Sequence, residues 1–437
     1  MVHTIAMTST ITQLGQSRVE LKISVPTGEF QSFVDAALKD FTAEAEFPGF
    51  RKGKAPAQLV QEKIGEFALY EHAAKNAAMK FFADAVTEHS LDPIGKPDVE
   101  VLKLAPGNSF EFKAVFFVMP DVKLPNYRSI AQSLKPEYHS VSVSEDKVQE
   151  ALAWLQKSRR TYTDVSRPAQ TGDRITCDFT ILENSKHVEH ETQKDFMFVI
   201  GEARVLPGFE EKIIGAAAGI TTSFTLTIPD NYWNKDIAGK IVNCNVVIKK
   251  IGQTHNPILD DAFAKSISKF ETMDALRANI AKGLEAEEKE KEQQRFRTLI
   301  LKRIDEKTEI DTPALLVERE QDMMVHELRH AIEETGIDWR TYMTQIQKTE
   351  DEIRNEFASQ AKDRVRFALI LDAIAKKQAI EPTKEEIEQE ANKALARFKN
   401  PQEAEKTIDV TALISYTKSV LINEKVSRML ENIALGK

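Results

Sequence analysis

Apolar and polar positions change period repeatedly along the chain. Residues 8–25 read as strand, because Val19, Leu21 and Ile23 alternate with polar neighbours. Pro26 and Thr27 then open a helix that the spacing carries to about Glu46, with Phe30, Phe33, Val34, Ala37, Leu38 and Phe41 on one face. A short loop follows. Pro56 stands where a second helical stretch starts, and that stretch runs towards His89. Strands near 98–104 and 109–119 flank Pro106-Gly107-Asn108. Residues 1–119 therefore read as an α+β domain.

Residues 120–142 carry Pro120, Pro125 and Pro136 and no clear period, so 120–150 reads as an extended connector that packs with the C-terminal part of the chain. A helix from Ser144 to about Lys157 places Val148, Ala151, Leu152 and Leu155 together, and Glu145 and Asp146 suit its dipole. Strand alternation then dominates. It is carried by Ile175, Cys177, Phe179 and Ile181, by Phe224, Leu226 and Ile228, and by Val242, Cys244, Val246 and Ile248. Residues 151–252 form this third, antiparallel α+β segment. From 253 to 437 the chain is helical and rich in Glu, Lys, Ala and Leu, and heptads are not sustained. The fold class expected is multidomain: α+β, connector, α+β with an antiparallel sheet, then an all-α domain.

Composition narrows the function. At 437 residues, with 42% apolar and 29% charged positions, the chain suits about three folded domains. A net charge of −9 argues against binding free nucleic acid, which needs a broad basic surface. No apolar run reaches the ~18 residues of a membrane span, so no membrane is expected. The N-terminus lacks the pattern of a signal peptide, and Met7 is an alternative start. Cys177 and Cys244 fall on apolar strand faces and read as core fillers, with no metal pair or disulfide framework. A cytoplasmic location follows from that usage. No phosphate-cradling glycine loop is present, so neither nucleotide nor any other cofactor is expected.

The chemistry begins with the loop Phe47–Pro56. Arg51, Lys52 and Lys54 place three cations in it, and Gly49 and Gly53 bracket Phe50, Arg51 and Lys52. An exposed Phe among cations suits an RNA–protein surface, whereas an ordinary solvated loop is the plainer alternative. Gly49, Phe50, Arg51, Gly53 and Pro56 match G-F-R-x-G-x-x-P, with Lys52 beside them. This signature, with the domain order around it, resembles the trigger factors, bacterial chaperones of nascent chains. The resemblance implies contact with the large ribosomal subunit near the polypeptide exit through Gly49, Phe50, Arg51, Lys52, Gly53 and Pro56. It also implies nascent and unfolded polypeptides as partners, a homodimer off the ribosome, and action without ATP.

Val205-Leu206-Pro207-Gly208-Phe209-Glu210 resembles the V-I-x-G-W/F-E segment of FKBP-type prolyl isomerases. Prolyl isomerisation needs no acid, base or metal, only an apolar pocket that desolvates a twisting amide whose barrier is ~18–20 kcal/mol. Phe179, Phe196, Phe198, Phe209 and Tyr232 supply aromatics for such a pocket, and the resemblance implies that Val205, Leu206 and Phe209 form its floor. The chain departs from that family, and the loss of two aromatic walls predicts weakened proline binding. Ile181 stands where the family has Gly, and Val188 and Cys244 stand at aromatic positions.

The helical part resembles the family's two-armed cradle, with Pro257–Ala264 entering the body and Ile310–Leu316 starting the first arm. Met323, Met324 and Leu328 are candidate client contacts, because Met reshapes around varied partners, and packing of arm against arm is the alternative. His326-Glu327-Leu328-Arg329-His330 is an H-E-x-x-H with both histidines on one helix face. Glu stands at 333, and Glu350, Glu352 and Glu356 are third-ligand candidates only because the segment is rich in Glu. No metal is therefore expected. The competing functions are a free cytosolic prolyl isomerase, a zinc peptidase using Glu327, and a periplasmic holdase with isomerase domains.

Overall fold

A computed structural model describes residues 7–44, 46, 48, 50–183, 186–188, 193–203, 205–232, 234, 237–396 and 409–437. Two compact units divide the chain: residues 1–138 with 294–437, and residues 139–293.

In the first unit, β1 (Thr8–Gly15), β2 (Arg18–Val25), β3 (Pro93–Lys103) and β4 (Phe110–Val118) form an antiparallel sheet in the order β1-β2-β4-β3. The single strand expected over 8–25 is a hairpin. Gly15, Gln16 and Ser17 all take positive φ (+82°, +53° and +55°), which reverses the chain. Val19, Leu21, Ile23 and Val25 of β2 have no exposed surface, whereas β1 is an exposed edge strand.

Helices α1 (Thr27–Glu44) and α3 (Glu66–Glu88) share the core of this sheet, where Phe30, Val34, Leu69 and Phe81 join Phe110 and Phe112. Ala73, Ala74, Ala77 and Ala78 are buried on α3 and let its backbone approach α1 closely. The one long helix expected after Pro56 breaks in two. Gly65, at φ +84°, ends α2 (Ala57–Ile64) before α3 begins.

The connector is partly helical. Asn126 accepts a hydrogen bond from the Ser129 amide and caps α4 (Tyr127–Ser133). Tyr127, Ala131 and Leu134 then pack with Phe296, Ile300, Ile374 and Leu430. Among the described residues, the further helices of this unit are the later part of α8 (Met273–Asp305), α9 (Ala314–Glu334), α10 (Trp339–Ile346), α11 (Glu350–Glu356), α12 (Ala358–Gln378), α13 (Lys384–Leu395) and α14 (Val410–Leu435).

A half-sunk guanidinium fixes the loop between α8 and α9. Arg366 on α12 donates to the Asp305 carboxylate at 2.7 Å and to the carbonyls of Thr308 and Ile310. That same loop reaches the β1–β2 turn: the Ser17 amide donates to the Asp311 carboxylate at 2.7 Å, and the Ser17 hydroxyl donates to the Asp311 carbonyl. Gly95 of β3 lies against α9, where a Cβ would stand 2.9 Å from Leu315.

In the second unit, α5 (Glu145–Ser158) packs Val148 and Leu152 against Phe263 and Ala264 of α7 (Asp261–Ile267) and Leu276 of α8. The sheet is built on β10 (Ile241–His255), which pairs with β5 (Thr161–Asp164), β6 (Arg174–Glu183) and β9 (Thr221–Thr227). β7 (Lys186–His187) and β8 (Gln193–Val199) both pair with β6. A short helix, α6 (Phe209–Ile213), carries Phe209 and Ile213 into the core, both without exposed surface.

Candidate functional site

The loop after α1 is anchored at its base and open at its tip. The Lys54 amide donates to the Arg51 carbonyl at 2.9 Å, closing a four-residue turn with Gly53 in its third position. Gly53 has φ +75°, and a Cβ there would stand 3.0 Å from the Ala43 carbonyl oxygen. Both the dihedral and the close approach require glycine. Ala55 is buried and Pro56 precedes the first turn of α2 at φ −60°, so the chain leaves the loop in a fixed direction.

Just before these anchors Phe50 is 44% exposed, and Arg51 and Lys52 are exposed as well. Lys52 reaches Glu46 only at 4.0 Å, in the open, so its charge stays available. Phe47 and Gly49 lie outside the described residues.

The second unit brings together the aromatic residues expected there. Phe209 is the hub: its ring centroid lies 5.2 Å from Phe179, 6.2 Å from Phe198 and 5.4 Å from Phe224, all edge-on. Phe179 also meets Phe196 edge-on at 5.5 Å. Edge-to-face pairs add about 0.5–1.5 kcal/mol each beyond burial, so the cluster holds its rings in set orientations. Phe179, Phe198, Leu206 and Phe209 are buried, and Val188, Phe196, Val205, Phe224 and Tyr232 are partly buried against them. The cluster therefore has a sealed inner set and an outer set that keeps some exposed surface.

Two of the sequence departures turn out to be neighbours. Ile181 on β6 is the register partner of Cys244 on β10, and Cys244 is in turn the partner of Phe224 on β9. One row across three strands therefore reads Ile181–Cys244–Phe224. Sequence reading placed Phe224 on an apolar strand face but missed its place beside Phe209. The alternation of Phe224, Leu226 and Ile228 was the only signal available. Burial pushes the Cys177 thiol up to about 12 and the Cys244 thiol up to about 11, which suits packing and not reactivity.

On α9, Met323 is 53% exposed, Leu328 is half-buried and Met324 is 4% exposed. Met323 borders a cavity of about 420 Å³ with Leu316, Val365, Leu369 and Ile422, rimmed by Arg364. His326 and His330 are both exposed, and their rings meet edge-on at 4.5 Å. Their surroundings are committed elsewhere. Glu327 is bound by Arg364, Glu350 by Arg329 and Trp339, Glu352 by the Thr349 cap, and Glu356 by Lys348. Among the described residues no group of three or more His, Cys, Asp or Glu is arranged to hold a metal ion. Nor, among them, is any helix long and apolar enough to cross a membrane.

The family model for the bacterial trigger factor protein matches residues 7–155, and that for its C-terminus matches residues 272–431. The model for FKBP-type peptidyl-prolyl cis-trans isomerases matches residues 165–250, which contain the aromatic cluster. A trigger factor of Caldanaerobacter subterraneus is 30% identical over 422 residues, covering 95% of this chain and 97% of the relative.

The chain belongs to the trigger factor family.

Other trigger factors agree. That of Caldicellulosiruptor saccharolyticus is 30% identical over 424 residues, covering 96% of this chain and 95% of its own. That of Brevibacillus brevis is 31% identical over 382 residues, covering 87% and 88%. As a trigger factor, the protein is a ribosome-associated chaperone with an FKBP-type prolyl isomerase domain.

Proposed function

We propose that this trigger factor docks on the large ribosomal subunit near the polypeptide exit through Phe50, Arg51 and Lys52, with Gly53 and Pro56 fixing the loop that presents them. The observation that carries this is the loop's construction, with buried or backbone-limited anchors at Gly53 and Ala55 and an exposed aromatic-cationic tip. Three local cations on an acidic chain suit a small contact on a phosphate-bearing surface and do not suit binding along a nucleic acid. Gly49 belongs to the same proposed contact. Co-sedimentation with ribosomes, comparing the wild type with a Phe50→Ala/Arg51→Ala/Lys52→Ala variant, tests it.

The helical arms then shield emerging apolar segments. Met323 and Leu328 are the client contacts of choice, whereas Met324 packs inside the arm. The cavity beside Met323 has an apolar lining and a charged rim, which suits weak contact with many sequences. Contacts of that kind release their clients without a nucleotide cycle.

The prolyl pocket lies in the aromatic cluster. Phe179, Phe198, Leu206 and Phe209 form its floor, and Phe196, Val205 and Tyr232 form its rim. An apolar, water-poor surface there disfavours the polar planar amide relative to the twisted state, which lowers the barrier without acid–base chemistry.

A further inference from the structure

We propose that Phe224 is a substrate-contacting wall of the prolyl pocket, opposite the small Cys244. The proposal rests on the aromatic cluster being that pocket and adds a residue to it. Three observations place Phe224 at the rim. First, it faces inward on β9 in the same row as Leu226 and Ile228, yet those two are 6% and 1% exposed while Phe224 is only partly buried. The inner face of the strand therefore passes from sealed core to open rim at this residue.

Second, its ring meets the hub, Phe209, edge-on at 5.4 Å, the same kind of contact that Phe179 makes at 5.2 Å. The start of α6 lies beside β9 as well: a Cβ on Gly208 would come within 3.4 Å of Leu226. Phe224 and the Val205–Phe209 segment are thus parts of one surface.

Third, Phe224 pairs directly with Cys244, which has no exposed surface. Directly opposed residues on antiparallel strands share a face and stand close together, so a small partner leaves space beside a large ring. Cys244 supplies that small partner, and Ile181 fills the far side of the row. The ring on β9 is then free to lie against the proline of a bound chain, with Phe209 beneath it.

The test uses the full chain and a series of Xaa-Pro tetrapeptides, with kcat and KM measured separately. Phe224→Ala is expected to lower kcat/KM at least about tenfold, chiefly through KM, and Phe224→Leu to fall between it and the wild type. Moving the ring one strand over, in Ile181→Gly/Cys244→Phe/Phe224→Ala, is expected to restore most of the loss. A purely structural residue would not show that rescue. Tyr232→Ala serves as the reference for the pocket itself. If Tyr232→Ala impairs turnover while Phe224→Ala and Phe224→Leu keep wild-type kcat/KM, the proposal for Phe224 is overturned and the pocket stands. If none of the three variants changes turnover, the pocket reading itself fails, and the role of Phe224 with it. Should Phe224→Ala not fold, Phe224→Leu decides on the same criterion.

Discussion

Ile181 and Cys244 face each other across β6 and β10, both without exposed surface, so a change in the size of one is felt by the other. In a close-packed interior such a pair behaves as one volume. Cys244→Phe alone is expected to overpack the row and destabilise the isomerase unit by about 1–3 kcal/mol. Ile181→Gly alone leaves a cavity, and the double variant is expected to be more stable than the sum of the single effects. Urea unfolding of the four proteins, read as a double-mutant cycle, measures the coupling.

Both thiols are expected to be inert in the native protein. Burial raises Cys177 to about 12 and Cys244 to about 11, so at pH 8 almost none of either is thiolate. An unfolded cysteine titrates near ~8.5 and reacts readily. Alkylation with iodoacetamide at pH 8, followed by mass spectrometry, should label neither cysteine in native protein and both in denaturant.

A buried carboxylate makes the isomerase unit acid-sensitive. Asp173 is 3% exposed; Arg167 donates to both of its oxygens at 2.6 and 2.9 Å, and the Gln170 amide donates to one of them. The hydrogen bonds from Arg167 hold its carboxyl below the usual carboxylate range, against the opposing effect of burial. A depressed folded pKa contributes stability that is present above the unfolded value of ~3.9 and is lost as pH falls through the folded value. Asp173→Asn should therefore lower stability at pH 7 by about 1–3 kcal/mol and flatten the loss seen in wild type below about pH 4. Thermal melts from pH 2 to 7 check both signs.

The succession of fold types, the strands of residues 175–248 and the tight turn at Gly53 were legible because each has a local signature: period two, a glycine-bracketed loop, or a Pro before a helix. Contacts between residues distant in sequence were not legible. The hairpin at Gly15–Ser17 shows only as a positive φ, and Gln16 and Ser17 hold such a φ without being glycine. The five-acceptor grip of Arg366 on the 305–312 loop joins positions more than fifty residues apart, and nothing around Arg366 announces it. Phe224 was missed for the same reason. Its strand was readable, but its neighbour Phe209 belongs to another element. Met324 shows the reverse failure, since its flexible side chain suits a binding surface but the turn of the helix puts it inside.

Arg366 is expected to govern how firmly the 305–312 loop is held. Arg366→Met keeps the apolar stem and deletes the donors, leaving the Asp305 carboxylate and several carbonyls without them. Loss of about 2–4 kcal/mol is expected for removing one partner of so enclosed a pair. Hydrogen exchange should show faster exchange across 305–312 and at the Ser17 amide, which donates to Asp311.

The docking loop should show its charge in the salt dependence of binding. Three cations neutralising phosphates give an affinity falling roughly 4- to 6-fold for each doubling of monovalent salt.

The central claim is tested most directly by pelleting with 70S ribosomes at low salt, comparing the wild type with Phe50→Ala/Arg51→Ala/Lys52→Ala. These three side chains are exposed, so the variant should keep its fold and its melting temperature. Docking through this loop predicts that the wild type sediments with ribosomes and that the variant stays in the supernatant. Co-sedimentation of the variant at the wild-type level would contradict it.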